Sequence, residues 1–347
     1  MSDAELRALP VLAVTEGRLV CTAIGADACP LRSAVANWLG NDRVALWEPG
    51  REIMILDAKS PTGRNFGVVG QASGQYAYAT AVGPFKGNVA VIDLQRAKMV
   101  LLNDAGGFER EENIPRPDAN SAPGFIGATP VLQSIHAAND SGVARMTLDV
   151  LESQTQTKGT RVLDVPVPWL RLNADSAIGF SPLFPASPRY AVDVNKTIIW
   201  TPSDSFWVQR RSFDGEVRWT LSSDRKGKTV TAAEISARRD EITRNAPKDY
   251  LKPGDLDSMT AHTATAHPVI GGIVLEPGGR MLITGVAISS SDSIEYIVLT
   301  RDGIPSHRFS LASRVRPLLF AGDSLLVHRP TAGEPLEVRW LFLKPRA

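Results

Sequence analysis

Apolar residues in this chain fall into short runs of four or five, set in pairs, with a polar or glycine turn beyond the second. Val89, Ala90, Val91 and Ile92 form one run, and Met99, Val100, Leu101 and Leu102 form the next. Asp104, Ala105, Gly106 and Gly107 follow, with glycines suited to the positive φ of a tight hairpin. Runs of this length make strands, and residues 67–115 read as one four-stranded antiparallel unit. Strands this short cannot bury both faces alone, so the unit must stack on copies of itself.

The copies are present. Residues 44–47, 52–56 and 65–69 repeat the pattern, and Val44 and Val89 lie 45 positions apart, about the length of one propeller blade. A looser unit uses residues 130–137, 143–151 and 161–165. A clearer one has strands at 190–194, 197–200, 206–209 and 217–221, with an Asp214-Gly215 turn. The fifth uses 272–275, 280–283, 294–299 and 306–311, with an Asp302-Gly303 turn, and the sixth uses 317–320, 324–327 and 336–342. This last unit lacks a fourth strand, while residues 18–24 near the N-terminus are an unassigned one. The expectation is an all-β, six-bladed β-propeller forming a single domain over 1–347. Its blades span roughly 33–70, 78–115, 123–166, 188–222, 269–312 and 315–343 plus 18–24. Closure by the N-terminal strand, alongside 336–342, removes exposed sheet edges. One segment departs from the pattern: Thr231 and Glu234 have capping-box spacing ahead of good helix formers through Arg244, so 229–262 is read as a helical insertion between the fourth and fifth blades.

The connector Gly70, Gln71, Ala72, Ser73, Gly74, Gln75, Tyr76 resembles the glycine-rich G-x-G-P-G-E-F link of bacterial six-bladed propellers related to NHL-repeat proteins. Ser73 stands in place of Pro, Gln75 in place of Glu and Tyr76 in place of Phe. The recurring strand pairs and the helical insertion before the penultimate blade also resemble that family. The resemblance implies the ring fold and little about chemistry, because propellers host unrelated functions on one scaffold. Many relatives of this kind are exported, whereas Asp3 and Glu5 stand where a secretory signal would be basic.

Composition narrows the field of partners. With 43% apolar and 22% charged residues the chain is globular, and its formal net charge of +1 gives no electrostatic footprint for nucleic acid. No apolar run reaches membrane-helix length, so no transmembrane segment is expected, and any association with a membrane complex would be peripheral. As written the chain suits the cytoplasm, and the periplasm or the exterior if a signal was removed. Cys21 and Cys29 suit either a disulfide-closed loop in an oxidising compartment or two free thiols.

Enzymatic propellers of the lactonase and phosphotriesterase type hold calcium at the axis with Glu, Asn and Asp. Here Asp42, Asp57, Asp93, Asp104 and Asp214 lie where turns and strand ends need them. His262 and His267, five positions apart, are candidates for a metal or a base. No Gly-x-Ser-x-Gly elbow, phosphate loop or zinc-protease helix occurs, so no catalytic residue, metal ligand or cofactor is assigned. Aromatic residues in or beside connections, Tyr76, Tyr78, Trp169, Phe184 and Tyr190, are candidate anchors, with wedging of adjacent blades as the competing role. The proline-rich connector from Val165 to Pro188 is a natural place for recognition. The resulting expectation is a non-enzymatic scaffold that binds another protein or a ligand, as an accessory subunit of a larger assembly. The alternative is a metal-dependent hydrolase.

Overall fold

The structure, a computed structural model, describes all residues except 22–33, 41, 58–62, 115–120, 127–128, 137–143, 152–158, 168–169, 172–178, 194, 248–250, 252–253, 287–292, 332–333 and 347. The chain starts with helix α1 (Asp3–Arg7) and strand β1 (Leu12–Cys21). Blade 1 is β2 (Val35–Gly40), β3 (Arg43–Trp47), β4 (Ile53–Asp57) and β5 (Arg64–Phe66), and blade 2 is β6 (Ala79–Phe85), β7 (Asn88–Asp93), β8 (Lys98–Leu102) and β9 (Phe108–Asn113). Blade 3 is β10 (Ser121–Ile126), β11 (Thr129–His136), β12 (Ala144–Val150) and β13 (Thr160–Val167), followed by a small hairpin, β14 (Leu170–Arg171) and β15 (Gly179–Phe180). Blade 4 is β16 (Arg189–Asp193), β17 (Thr197–Thr201), β18 (Trp207–Ser212) and β19 (Val217–Ser222). Helices α2 (Ala232–Asn245) and α3 (Asp255–Ala261) come next, then blade 5 with β20 (Gly272–Leu275), β21 (Met281–Thr284), β22 (Ser293–Leu299) and β23 (Pro305–Ala312). Blade 6 joins β24 (Arg316–Ala321), β25 (Ser324–Thr331) and β26 (Glu334–Pro345) to β1.

The six antiparallel sheets form a ring in which the first strand of each blade lies innermost. Its core is divided into wedges between neighbouring blades. Ala45, Ile53 and Tyr76 share one with Val82 and Val91; Phe85 and Met99 pack toward Phe125; and Leu148 and Leu163 meet Val192 and Ile198. This arrangement explains the continuous apolar runs. The middle strands are covered on both faces, so β3, β4, β7 and β8 are buried at nearly every position rather than at alternate ones. The outermost strands can be polar, and β9, Phe-Glu-Arg-Glu-Glu-Asn, is a charged edge that resists pairing with another chain. Gly106, Gly215 and Gly303 take φ of 87°, 96° and 77° in the hairpins expected of them.

Closure occurs as the pattern predicts, with an earlier start. β1 pairs antiparallel with β26 from Leu12 opposite Pro345 to Cys21 opposite Val338, and residues 22–24 of the expected strand lie outside the described residues. The register shifts between Glu16 and Leu19, where a Cβ on Gly17 would come within 2.6 Å of the Trp340 carbonyl oxygen. Cys21 is disulfide-bonded, and the sequence holds one other cysteine, Cys29.

Two features differ from the sequence reading. The strand expected over 65–69 stops at Phe66, because Gly67 turns with φ of 75° and a Cβ there would come within 2.7 Å of the Leu102 side chain. The second is α1, which has a capping box of Ser2 and Glu5 and places Leu6, fully buried, among Ile199, Val208, Ile283 and Leu299 between blades 4 and 5. Arg225 adds a charged clasp to Asp3 at 2.5 Å and to Glu295 at 2.6 Å.

Candidate functional site, a central channel

In a ring of this topology every connector from an outermost strand to the next innermost strand emerges at one end, and the hairpins that follow the innermost strands lie at the other. Between the two ends runs a channel of about 1390 Å3 lined by residues of all six blades. Its wall is mostly apolar, with Val35, Trp38, Phe125, Ile126, Ile273 and Leu318 contributed by four blades. Inner strands carry these residues because their exposed edge meets the channel while their side chains wedge between blades.

The polar groups of the wall are few. Asn37 donates through Nδ2 to the Val82 carbonyl oxygen at 2.9 Å, joining blades 1 and 2. The Tyr190 hydroxyl donates to Oε1 of Gln133, joining blades 4 and 3, and burial pushes its pKa up to about 12. Three acids line the hairpin end, and none of them is free. Asp193 is paired with Arg210, Glu276 accepts from Arg280 Nε at 2.6 Å and from the Gly322 N–H at 2.6 Å, and Asp42 also has an interaction partner. Arg189, the first residue of β16 and so at the connector end, is exposed, and its side chain has no hydrogen bond or ion pair to any described residue.

The candidate anchors separate on inspection. Tyr76 is fully buried, donates to the Phe66 carbonyl oxygen at 3.1 Å and accepts from the Ile53 N–H at 3.1 Å; burial raises its pKa to about 12. It therefore wedges blades 1 and 2 and offers no surface to a partner, a correction to its candidacy as an exposed anchor. Tyr78 is half-buried against Gly50, with its backbone N–H on Asp93 at 3.3 Å. Phe184 packs edge-on against His267, with ring centroids 4.8 Å apart. His267 is buried, with Nε2 3.3 Å from Glu234 Oε1, so it braces α2 against the connector after blade 3. His262 is exposed at the end of α3, with Nδ1 2.8 Å from the Ser258 carbonyl oxygen. Trp169 lies outside the described residues. Of the described candidates, Tyr190 alone lines the channel.

Among the described residues no group of three His, Cys, Asp or Glu side chains is gathered closely enough to hold a metal ion. Sequence reasoning passed over Arg189, Gln133 and Trp38, and the one local signal was an Arg-Tyr pair directly after the proline-rich connector.

No family model and no curated protein matches this sequence. Solved structures do. A member of the DUF4221 family from Bacteroides vulgatus matches with a TM-score of 0.52 and 9% identity, covering 97% of this chain and 100% of that one. A candidate exported protein from Bacteroides fragilis matches at 0.51 and 9%, covering 97% of this chain and 96% of that one. A streptogramin B lyase matches at 0.44 and 12%, over 96% and 98%. At such identities the two Bacteroides likenesses speak for the backbone alone, and they agree with the sheets described above: this chain is a six-bladed β-propeller.

Proposed function

We propose that the protein is a non-enzymatic binding module that takes a ligand into its central channel. The observation that carries this reading is the wall itself, which is mostly apolar, with the acids at its hairpin end already engaged. Large apolar concavities with a few fixed polar groups are the usual form of ligand sites. The test is titration with the neutral apolar fluorophore N-phenyl-1-naphthylamine. Saturable binding at one equivalent is expected, and Val35→Arg, which narrows the channel at an exposed wall position, should weaken it about tenfold, about 1.4 kcal/mol. Absence of saturable binding, or indifference to Val35→Arg, would refute the reading.

A protein partner at the connector end is a second reading, favoured by α2, a 14-residue helix with no buried residue. Affinity capture with and without residues 232–245 tests it. The disulfide at Cys21 supports residence in an oxidising compartment, the periplasm or the exterior. Thiol titration of the protein from its native cells should find no free thiol before reduction and two after it.

A further inference from the structure

The charge pattern of the channel narrows the class of ligand beyond what its shape implies, and this step rests on the proposal that the channel binds a ligand. Four charged side chains line it among the described residues: Asp42, Asp193, Glu276 and Arg189. The three acids belong to the hairpin end and are engaged by partners. Arg189 is at the opposite end, where the connectors emerge, and its side chain has none among the described residues. A guanidinium stays charged at any working pH and presents five donors in a fork that fits a carboxylate, sulfonate or phosphate.

The wall's remaining unmet polar atoms have the same sense. Gln133 gives its oxygen to Tyr190, which turns its amide N–H2 away, and that group has no acceptor among the described residues. Unmet groups in a native wall are uncommon and call for explanation. An amide N–H2 can only donate, so a ligand that meets Gln133 brings an acceptor.

We propose that the ligand of this channel is an amphipathic anion: an apolar, ring-bearing or aliphatic body lying against Phe125, Ile126, Ile273 and Leu318, with an acidic head held by Arg189 at the connector end. The apolar length of the wall supplies burial, and the single unpaired cation supplies polarity and direction. A neutral ligand of the same body would leave Arg189 unpaired, and a cationic one would be repelled.

Two fluorophores sharing one aromatic body separate these ideas: neutral N-phenyl-1-naphthylamine and its anionic counterpart, 8-anilinonaphthalene-1-sulfonate. The full chain should bind the anion about tenfold more tightly than the neutral probe, the scale of one charge-assisted contact. Arg189→Gln should erase most of that difference and Arg189→Glu should invert it, with neutral-probe affinity unchanged in both. Raising the salt should weaken only the anion, since screening acts on the charged contact. Arg189 is exposed, so neither substitution disturbs the core, and unchanged melting curves establish that. If the neutral probe binds and the anion gains nothing, or if Arg189→Gln leaves the gain intact, this inference falls while the channel-binding proposal stands. If the neutral probe does not bind, both fall.

Discussion

Asp193→Ala is the substitution whose cost can be worked out most directly. Asp193 and Arg210 have side chains only 2% and 5% exposed. Arg210 donates to Asp193 through Nη2, to Thr197 Oγ1 through Nε at 2.9 Å, and to the Arg301 carbonyl oxygen of blade 5 through Nη1 at 2.9 Å. Burial pulls the Arg210 pKa down from its ordinary value, with Asp193 opposing. Removing the carboxylate leaves a guanidinium enclosed with only neutral acceptors, and breaking a buried pair this way costs about 3–5 kcal/mol. The Asn195 backbone and side-chain N–H groups, 3.2 and 3.0 Å from Asp193 Oδ1, lose their acceptor as well. At about 2 °C per kcal/mol, the low end that suits a large domain, the melting midpoint should fall by roughly 6–10 °C. Urea unfolding followed by tryptophan fluorescence measures the free-energy change. Asp193→Leu combined with Arg210→Met should recover most of it, since apolar replacement of a buried pair is often neutral. A loss below about 1 kcal/mol in Asp193→Ala, or a double variant no better than the single one, would refute the reasoning.

Three further outcomes are expected from the packing. Leu6→Ala should cost about 2–5 kcal/mol in the same urea assay, because a fully enclosed leucine leaves a cavity between blades 4 and 5; a cost near zero would mean that α1 only rests on the ring. Tyr76→Phe keeps the ring in place but strips the Ile53 N–H and the Phe66 carbonyl oxygen of a partner, and should cost about 1–3 kcal/mol without altering probe binding in the channel. His328, held below its ordinary pKa of 6.5 by burial first and by Arg316 second, favours the neutral form when folded. Its contribution is therefore full above about 6.5 and is lost as the pH falls from there toward the depressed folded value, so wild type should lose stability over that window and His328→Gln should lose less.

The blades were legible because their middle strands, covered on both faces, write unbroken apolar runs, and because Asp214-Gly215 and Asp302-Gly303 mark hairpins by backbone necessity. The innermost strands β2, β6 and β10 were not picked out within their blades. β2 has a mixed burial pattern because one edge meets the channel, and β10 contains Pro123 and Gly124, which weaken any strand signal. α1 is a single turn, too short for periodicity, although Ser2 and Glu5 spelled out its cap. The channel could not be read from any one stretch. Arg189, Gln133, Trp38 and Ile273 belong to separate blades and meet only when the ring closes. Tyr76 shows the converse: an aromatic residue in a connector looks like an anchor until burial shows it bonded on both sides.

The strand that closes the ring also sets an order of events. Leu12 pairs with Pro345, so β1 leaves the ribosome more than 300 residues before its partner strand is made. Through most of synthesis Leu12, Val14 and Leu19 have no sheet to join, and the inner blades stand as an open arc whose end wedges are half-built. Closure is thus the longest-range pairing among the described strands, and it carries the largest loop-entropy cost. Until it is complete the channel is a cleft open along one side, so a ligand present in that interval need not enter by either end.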